Sequence, residues 1–201
     1  SLAQFAGGTG RLGNFASMNA TKSNRYLDQV SIDNLHNGGN SERAFTRLDF
    51  QATPIDILRF SVMAGRSSFQ LANLRSQHAN LQDQRQELND ISISAAWLRT
   101  LGARATIEAN GSFRNALAEL YSSPGDTPVT ASQSRRLTTY NAGTRFSLFT
   151  GRHNLRAGID YQRFPLREHF SFAITNPDFN QPGSEDYIET LLPFDLTRGG
   201  S

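Results

Sequence analysis

The segment Leu155-Arg156-Ala157-Gly158-Ile159-Asp160-Tyr161-Gln162 alternates apolar and polar side chains without a break. Successive side chains of a β-strand point to opposite faces, so this segment predicts a strand with one apolar and one polar face. Residues 140–148, just before it, show the same period of two. Phe149-Thr150-Gly151-Arg152 separates the two segments and is short enough for a hairpin turn.

The same hairpin pattern recurs upstream. Residues 44–51 and 58–65 alternate around a turn at Thr53-Pro54-Ile55-Asp56. Residues 91–97 and 107–114 alternate around a turn at Leu101-Gly102-Ala103. A weaker pair opens the chain, turns near Gly10 and includes Phe15. The sequence therefore predicts an all-β fold, an antiparallel up-and-down meander of about eight long strands.

The connections between these hairpins are long and polar, and cover residues 27–42, 71–88, 121–136 and 165 to the end. Short turns would then lie at one end of the meander and long loops at the other, an asymmetry typical of outer-membrane β-barrels. Within 71–88, Leu74, Leu81 and Leu88 have heptad-like spacing. That spacing fits a short loop helix or an extension of the next strand, and we favour the extension.

Alternation alone does not distinguish a membrane barrel from a soluble one, whose apolar side chains point inward. Strands of about ten residues and the loop asymmetry favour the membrane barrel. Trp97, Phe149 and Phe50 lie near the short-turn end, where an aromatic girdle is expected. A soluble β protein remains the alternative.

Composition excludes several classes of protein. There is no cysteine, so disulfide frameworks and cysteine-rich zinc sites are ruled out. The formal net charge is +2 without a clustered basic face, which argues against a nucleic-acid binder. No apolar run is long enough for a membrane helix. Ser1-Leu2-Ala3-Gln4 has neither the basic start nor the apolar core of a signal peptide.

No catalytic, cofactor-binding or metal-binding residue is predicted, and we do not expect an enzyme. Gly8-Thr9-Gly10-Arg11-Leu12-Gly13 fits G-x-G-x-x-G, but no buried strand precedes it and no helix is predicted after it, so it indicates a hairpin turn. The four histidines lack metal-ligand spacing, as do three acidic residues near the end of the chain. The residues considered are His36, His78, His153, His169, Asp178, Glu185 and Asp186.

Charged residues on the polar face of the predicted strands are the most informative group. On a membrane barrel this face lines the lumen, because a charge in lipid costs about 2–4 kcal/mol at mid-depth. Opposite charges are expected to pair across strands. Two interpretations stay open, a solvated or plug-contacting wall and a path that guides substrate. The lumen-facing candidates are Arg47, Asp49, Arg59, Arg114, Arg145, Arg156 and Asp160.

Several motifs resemble the barrel region of TonB-dependent outer-membrane receptors, of the type that carries an N-terminal carboxypeptidase-regulatory-like domain. The hairpin Gly151-Arg152-His153-Asn154-Leu155-Arg156-Ala157-Gly158 resembles the family's returning hairpin, and Phe194-Asp195-Leu196-Thr197-Arg198-Gly199-Gly200 resembles a loop end before a further strand. The other matching motifs are Arg25-Tyr26-Leu27-Asp28, Asn34-Leu35-His36-Asn37, Asp49-Phe50, Thr53-Pro54, Gly65-Arg66 and Gln82-Asp83-Gln84-Arg85.

This resemblance implies a ligand-gated importer in the bacterial outer membrane, with about twenty-two strands and an N-terminal plug that contacts the TonB complex. The chain shows no plug, no TonB-contacting segment and no terminal aromatic strand, so we expect residues 1–201 to be a partial barrel. The expected partners are outer-membrane lipid, an unknown small-molecule or oligomeric nutrient, and the TonB complex only through the missing plug. The alternatives are a complete eight-stranded outer-membrane barrel for adhesion or structure, and a soluble β-barrel binding module.

Overall fold

The computed structural model describes residues 1–176, 178–185, 187–189 and 193–200 of the chain. These residues form one antiparallel sheet of ten strands. The only α-helix in this part of the chain is the five-residue α1 (Arg75–Ala79). The strands are β1 (Leu2–Thr9), β2 (Leu12–Ser23), β3 (Gly39–Thr53), β4 (Asp56–Gln70), β5 (Arg85–Leu101), β6 (Ala105–Tyr121), β7 (Val129–Thr150), β8 (His153–Arg163), β9 (Leu166–Ile174) and β10 (Phe194–Gly200).

The sheet is an up-and-down meander, as the sequence predicts. Strands β1 to β7 lie side by side in chain order, and β8 and β9 both pair with β7. Their pairing keeps one register, from Tyr140 opposite Arg163 to Leu137 opposite Leu166. They are therefore two halves of one long strand, interrupted next to Pro165, which has no N–H to donate to the ladder. Nine strands lie abreast, one more than expected.

The four predicted turns are confirmed, and each connects two strands at the same end of the sheet. Gly10, Gly102 and Gly151 have φ angles of +54°, +66° and +53°, a conformation that residues with a side chain rarely adopt. The long connections all lie at the opposite end, which we call the loop end.

The strands are longer than the predicted ten residues. Strands β3 and β4 have 15 residues, β5 and β6 have 17, and β7 has 22. The predicted loops 121–136 and 165 to the end are accordingly wrong in part, since β7 begins at Val129 and β9 and β10 lie within the last segment. Residues 130–136 of β7 are mostly polar, so they lack the hydrophobic alternation that the prediction used. Strand β9 does alternate, with Phe170, Phe172 and Ile174 on the polar face of the sheet, and the prediction did not use that pattern.

The connection between β4 and β5 combines both interpretations of the leucine spacing. Residues 75–79 form the single-turn helix α1, so the continuous extension that we favoured is wrong there. The strand resumes at Arg85, and the extension is correct from that residue onward.

Directly opposite residues share a face, and the register places the apolar residues of β3 to β8 together. One row across the strands reads Leu48, Phe60, Ala95, Gly111, Ala142 and Tyr161. We call this side the apolar face and the other the polar face. Trp97 and Phe50 lie on the apolar face near the turns, as expected. Phe149 and Phe15 lie on the polar face, since their partners Asn154 and Arg47 do, and the expected girdle position of Phe149 is wrong.

The apolar face changes character toward the loop end. Ala44, Ala64 and Ile91 form the last mainly apolar row on β3 to β5. The next row reads Glu42, Arg66, Asn89, Leu117, Arg136 and Arg167. An apolar band therefore covers the turn half of the sheet and ends at a row that is mostly polar.

The sheet forms a single layer, and contacts between elements occur only between strands adjacent in it. Among the described residues Phe69 is the one buried hydrophobic side chain. Large apolar side chains of the band stay accessible, with Phe60 42% and Ile159 77% exposed. The sheet is open, with β1 and β10 as its lateral strands.

Candidate functional site

All seven charged candidates lie on the polar face of the sheet. Asp49, Arg59 and Asp160 share one row across the strands, with Gly143 opposite Asp160. The other four occupy neighbouring rows of the same face, and they are Arg47, Arg114, Arg145 and Arg156. That this face lines a lumen stays a prediction.

The carboxylates on this face pair with arginines. Asp49 accepts hydrogen bonds from Arg47 at 2.8 Å and from Arg59, across the strand pair, at 2.9 Å. Asp90 and Arg114 pair at 2.5 Å between β5 and β6. Glu108 and Arg145 form a longer pair at 3.9 Å. These pairs are partly exposed, so each contributes about 0–1 kcal/mol to stability.

Arg156 and Asp160 have no ion-pair partner among the described residues, although both belong to the predicted set. They line a shallow cavity of about 500 Å³ together with Glu108 and Arg145. The cavity is polar, and its two unpaired groups of opposite sign are available to solvent or to a solute.

A second concavity, of about 520 Å³, lies mainly on the polar face toward the loop end. Its floor is low because Gly65 has no side chain and Ala116 and Ala118 have only a methyl group. Arg43 extends beside Gly65, with its Cγ 3.5 Å from the place where a Cβ would stand. Arg43 makes no ion pair among the described residues, whereas Arg114 is neutralised by Asp90. The concavity therefore combines an apolar floor with one uncompensated positive charge.

Five of the seven buried polar side chains of the described residues lie in the connections at the loop end, which together form a structure that we call the loop platform. Its members come from three connections that are far apart in sequence. They are Asn37, Asn73, Gln82, Ser123 and Asp126, each at most 9% exposed. A conventional apolar core does not hold these connections together, and hydrogen bonds do so instead.

Asp126 is the centre of the platform, with 2% of its surface exposed. Its carboxylate accepts hydrogen bonds from the Ser123 amide at 2.9 Å, the Ser123 hydroxyl at 2.8 Å and the Gln84 amide at 3.1 Å. Its backbone carbonyl accepts a bond from the Thr175 hydroxyl at 2.6 Å. Burial raises the pKa of Asp126, but the bonds from Ser123 and Gln84 outweigh burial and hold that pKa below its ordinary value.

Asn37 and His36 tie the first connection to the platform. The Asn37 side chain bonds both the N–H and the carbonyl of Leu27 at 2.8 Å. His36 Nδ1 lies 2.9 Å from the Leu71 carbonyl, and Nε2 lies 2.5 Å from Asp83 Oδ1. The hydrogen bond from His36 lowers the pKa of Asp83. The platform therefore joins residues 24–38 to residues 71–84.

An aromatic stack supports the platform from the sheet. The rings of Tyr26 and Phe69 are 4.9 Å apart and nearly parallel. Gly39 lies against both rings, and a Cβ there would come within 2.6 Å of Phe69 Cβ and of Tyr26 Cγ. Tyr26 can therefore lie flat over the end of the sheet only because residue 39 has no side chain.

At the turn end of the apolar face, Trp97, Asp56 and Arg99 form a small polar cluster. Trp97 Nε1 donates to Asp56 Oδ1 at 2.9 Å, and the Arg99 guanidinium lies 5.9 Å from the indole centroid. Asp56 is 8% exposed, and Arg99 lies 3.4 Å from it. The only tryptophan of the chain thus has its ring on the apolar face and its N–H bound to a carboxylate.

The weaker motifs of the sequence do not assemble into a site in the described part of the chain. Gly8 and Gly13 are cross-strand partners next to the first turn, as predicted for a hairpin. No group of three or more possible ligands among these residues is arranged to hold a metal ion. Of the three acidic candidates for calcium, Asp178 and Glu185 lie in irregular structure, and Asp186 lies outside the described residues.

None of the described segments forms a helix with the length and apolar character needed to cross a membrane.

Sequence reasoning identified the charged face but missed the platform and Arg43. One local signal for the platform was present, since Ser and Asp three residues apart around Pro-Gly are typical of a side-chain-stabilised turn. Searches against protein-family models, curated proteins and solved structures found no match to this chain.

Proposed function

We propose that this chain forms part of the wall of an outer-membrane β-barrel, with its apolar face toward lipid and its polar face toward the interior. Following the family resemblance, the barrel is a TonB-dependent receptor that takes up a nutrient, and the loop platform and the polar face contact that nutrient. The protein would not be an enzyme, and its location would be the bacterial outer membrane.

The observation that carries the proposal is the alignment of the apolar band across six strands. Leu48, Phe60 and Tyr161 share one row, and no second layer covers them in the described residues. Apolar area exposed to water costs about 25 cal/mol per Å², so a band of this size requires an apolar environment. Lipid provides that environment along the whole apolar band.

The position of the band supports tilted strands. On β3 and β4 it runs from Phe50 and Leu58 to Ala44 and Ala64. On β7 and β8 it begins two rows nearer the turn end, at Leu148 opposite Leu155, and its last mainly apolar row holds Ala142 and Tyr161. Such an offset is expected when strands cross a membrane at an angle, as they do in barrels.

The two alternatives receive less support. A soluble β-barrel or sandwich buries its apolar residues between layers, whereas this sheet has one layer. A complete eight-stranded barrel pairs its first strand with its last, whereas here nine strands lie abreast and β1 does not pair with β10. An open sheet of this kind suits a segment of a wider wall.

The direct test uses Trp97 as a depth probe. The chain is folded into phosphatidylcholine vesicles that carry bromine at defined positions of the acyl chains, and quenching of Trp97 fluorescence is measured. We expect strong quenching by bromines close to the headgroup, because Trp97 lies at the turn edge of the apolar band.

A matched control moves the tryptophan by one residue. The double variant W97F/L98W places the ring on the polar face, since Leu98 is opposite Ile57 and Glu108 rather than in the apolar row. Quenching should then fall to the level of a water-exposed indole. Equal quenching in both proteins, or a chain that stays monomeric in buffer without vesicles, would exclude the proposed orientation.

A further inference from the structure

Three arginines gather on the apolar face where the apolar band ends. Arg136 of β7 lies directly opposite Arg167 of β9, and Arg163 lies four residues from Arg167 on the same face. All three are exposed. Tyr140, opposite Arg163, and Tyr161 lie next to them on the band side. We call Arg136, Arg163 and Arg167 the arginine triad.

The carboxylate that would neutralise the triad faces away from it. Glu168 follows Arg167 and therefore points to the polar face, where it pairs with Arg135 at 2.6 Å and with Arg198 at 3.4 Å. On the triad's own face, Glu119 of β6 accepts a bond from Tyr121, and Asp195 of β10 lies 3.5 Å from His169. No triad arginine has an ion-pair partner among the described residues.

Arg66 shows that the chain can neutralise an arginine in this position. It lies in the same polar row as Arg136 and is paired with Glu87 of the next strand at 3.3 Å. Like charges directly opposite each other in a sheet are destabilising. An external anion between Arg136 and Arg167 would therefore stabilise this part of the sheet. The planar guanidinium fork matches phosphate oxygens in geometry and charge.

In outer-membrane barrels the long loops face the cell exterior, so the loop end would lie at the outer leaflet. We propose that the arginine triad binds the phosphate groups of an outer-leaflet lipid whose acyl chains lie along the apolar band. The inference rests on the proposed membrane position of that band. The occupant is a phosphorylated lipid rather than a free anion, because the triad lies at the boundary between the apolar band and the polar strand ends. Tyr140 and Tyr161 then contact the sugar or glycerol region between phosphate and acyl chains.

The test measures binding of bis-phosphorylated lipid A to the full chain in neutral detergent micelles by titration calorimetry. The variants are R136Q/R167Q and the matched control R66Q, which removes an arginine of the same row that already has a carboxylate. Each arginine near a lipid surface contributes a factor of about five, so the double variant should bind roughly 25-fold more weakly. R66Q should stay within about twofold of the unchanged chain.

Two further arms identify the source of the phosphate. Lipid A without phosphates should lose most of the affinity, and inorganic phosphate alone should bind far more weakly than lipid A. Equal affinity of the double variant and R66Q would overturn the inference, as would equal binding of free phosphate. Insertion with Trp97 quenching but no effect of the triad would overturn this inference alone, whereas failure to insert would overturn the proposed function with it.

Discussion

The indole N–H of Trp97, near the end of β5, donates a hydrogen bond at 2.9 Å to Asp56, the first residue of β4. The same carboxylate accepts the Thr53 hydroxyl at 2.6 Å, so both of its oxygens are occupied. This arrangement fixes the ring on the apolar face with its polar edge toward the turns. The cluster thereby joins the first residue of a strand to the turn that precedes it.

The variant D56N should destabilise this end of the sheet. An amide group in place of the carboxylate presents an N–H₂ to Thr53 or to Trp97. The indole N–H of Trp97 can only donate, and the Thr53 hydroxyl already accepts the amides of Ile55 and Asp56. Arg99, whose buried Nε has no hydrogen-bond partner, also loses its counter-charge. We expect the unfolding constant to rise about tenfold, measured by urea titration of Trp97 fluorescence in detergent. A change no larger than that of D160N, which removes an unpaired carboxylate, would contradict this assignment.

The platform should weaken at acid pH because of Asp126. Its pKa lies below the ordinary value, so the bonds stabilise the platform fully above about pH 4 and are lost as the pH falls further. Hydrogen exchange of residues 71–84 and 122–128 between pH 7 and pH 3 measures this loss. D126N should lower the free energy of opening of the platform by about 1–3 kcal/mol at pH 7. It should also remove most of the pH dependence of that free energy. The exposed D28N serves as the control, and an equal pH profile in D28N and D126N would refute the role.

Gly125 should tolerate no side chain. A Cβ at this position would overlap the backbone carbonyl oxygens of Asn80 and Leu81, which cannot move away as a side chain would. G125A should therefore cost about 1–3 kcal/mol and speed proteolysis of the loop end. G111A is the matched control, because its Cβ would meet only the Asn141 carbonyl at an ordinary 3.7 Å. Similar proteolysis of the two variants would argue against the tight contact.

Ile159 and Gln162 test the two faces within one strand. Ile159 lies opposite Thr144 on the apolar face, and Gln162 lies opposite Asn141 on the polar face. I159R should lower the stability of the chain folded in vesicles by about 2–4 kcal/mol, because the charge enters lipid. Q162R should change it by less than about 0.5 kcal/mol. Equal folded fractions in the two variants would reverse or remove the assignment of faces.

Asp49 should matter more than Asp160, although both lie in the same row. Asp49 separates the charges of Arg47 and Arg59, so D49N leaves two arginines close together without a counter-charge. We expect a loss of about 1 kcal/mol that shrinks in high salt, measured by chemical unfolding at two ionic strengths. D160N should change little, and a salt-independent loss in D49N would point to packing instead of charge.

The sequence was sufficient for the sheet wherever one face is apolar. Residues 155–162 and 140–148 show that alternation, and their register agrees with the predicted pairing. The strand end near Val129 could not be predicted from alternation, because residues 130–136 are mostly polar. Strand β9 was missed for another reason, since Phe170, Phe172 and Ile174 do alternate with less apolar residues and were assigned to a loop. Backbone hydrogen bonds continue beyond the apolar band, and they leave no trace in hydrophobic periodicity.

The charged face could be predicted from the spacing of the charged residues alone, since residues two positions apart in a strand lie on the same face. The loop platform could not be predicted, because the hydrogen-bond partners of Asp126 include Gln84 and Thr175, which are distant in sequence. Their meeting depends on the order of four connections at one end of the sheet. Phe149 shows the opposite error, since an aromatic near a turn was assigned to the wrong face by its residue type.

Among the described residues β8 pairs on one flank only, with β7, while β10 pairs with β9 as far as Gly200 opposite Leu166. The eleven residues of His153–Arg163 thus present a row of unshared amide and carbonyl groups. Such a flank is a template for any extended peptide. Pairing of β8 with a further strand would extend the sheet. In the isolated chain the exposed flank would favour concentration-dependent aggregation during refolding, because β8 of one chain can pair with a strand of another.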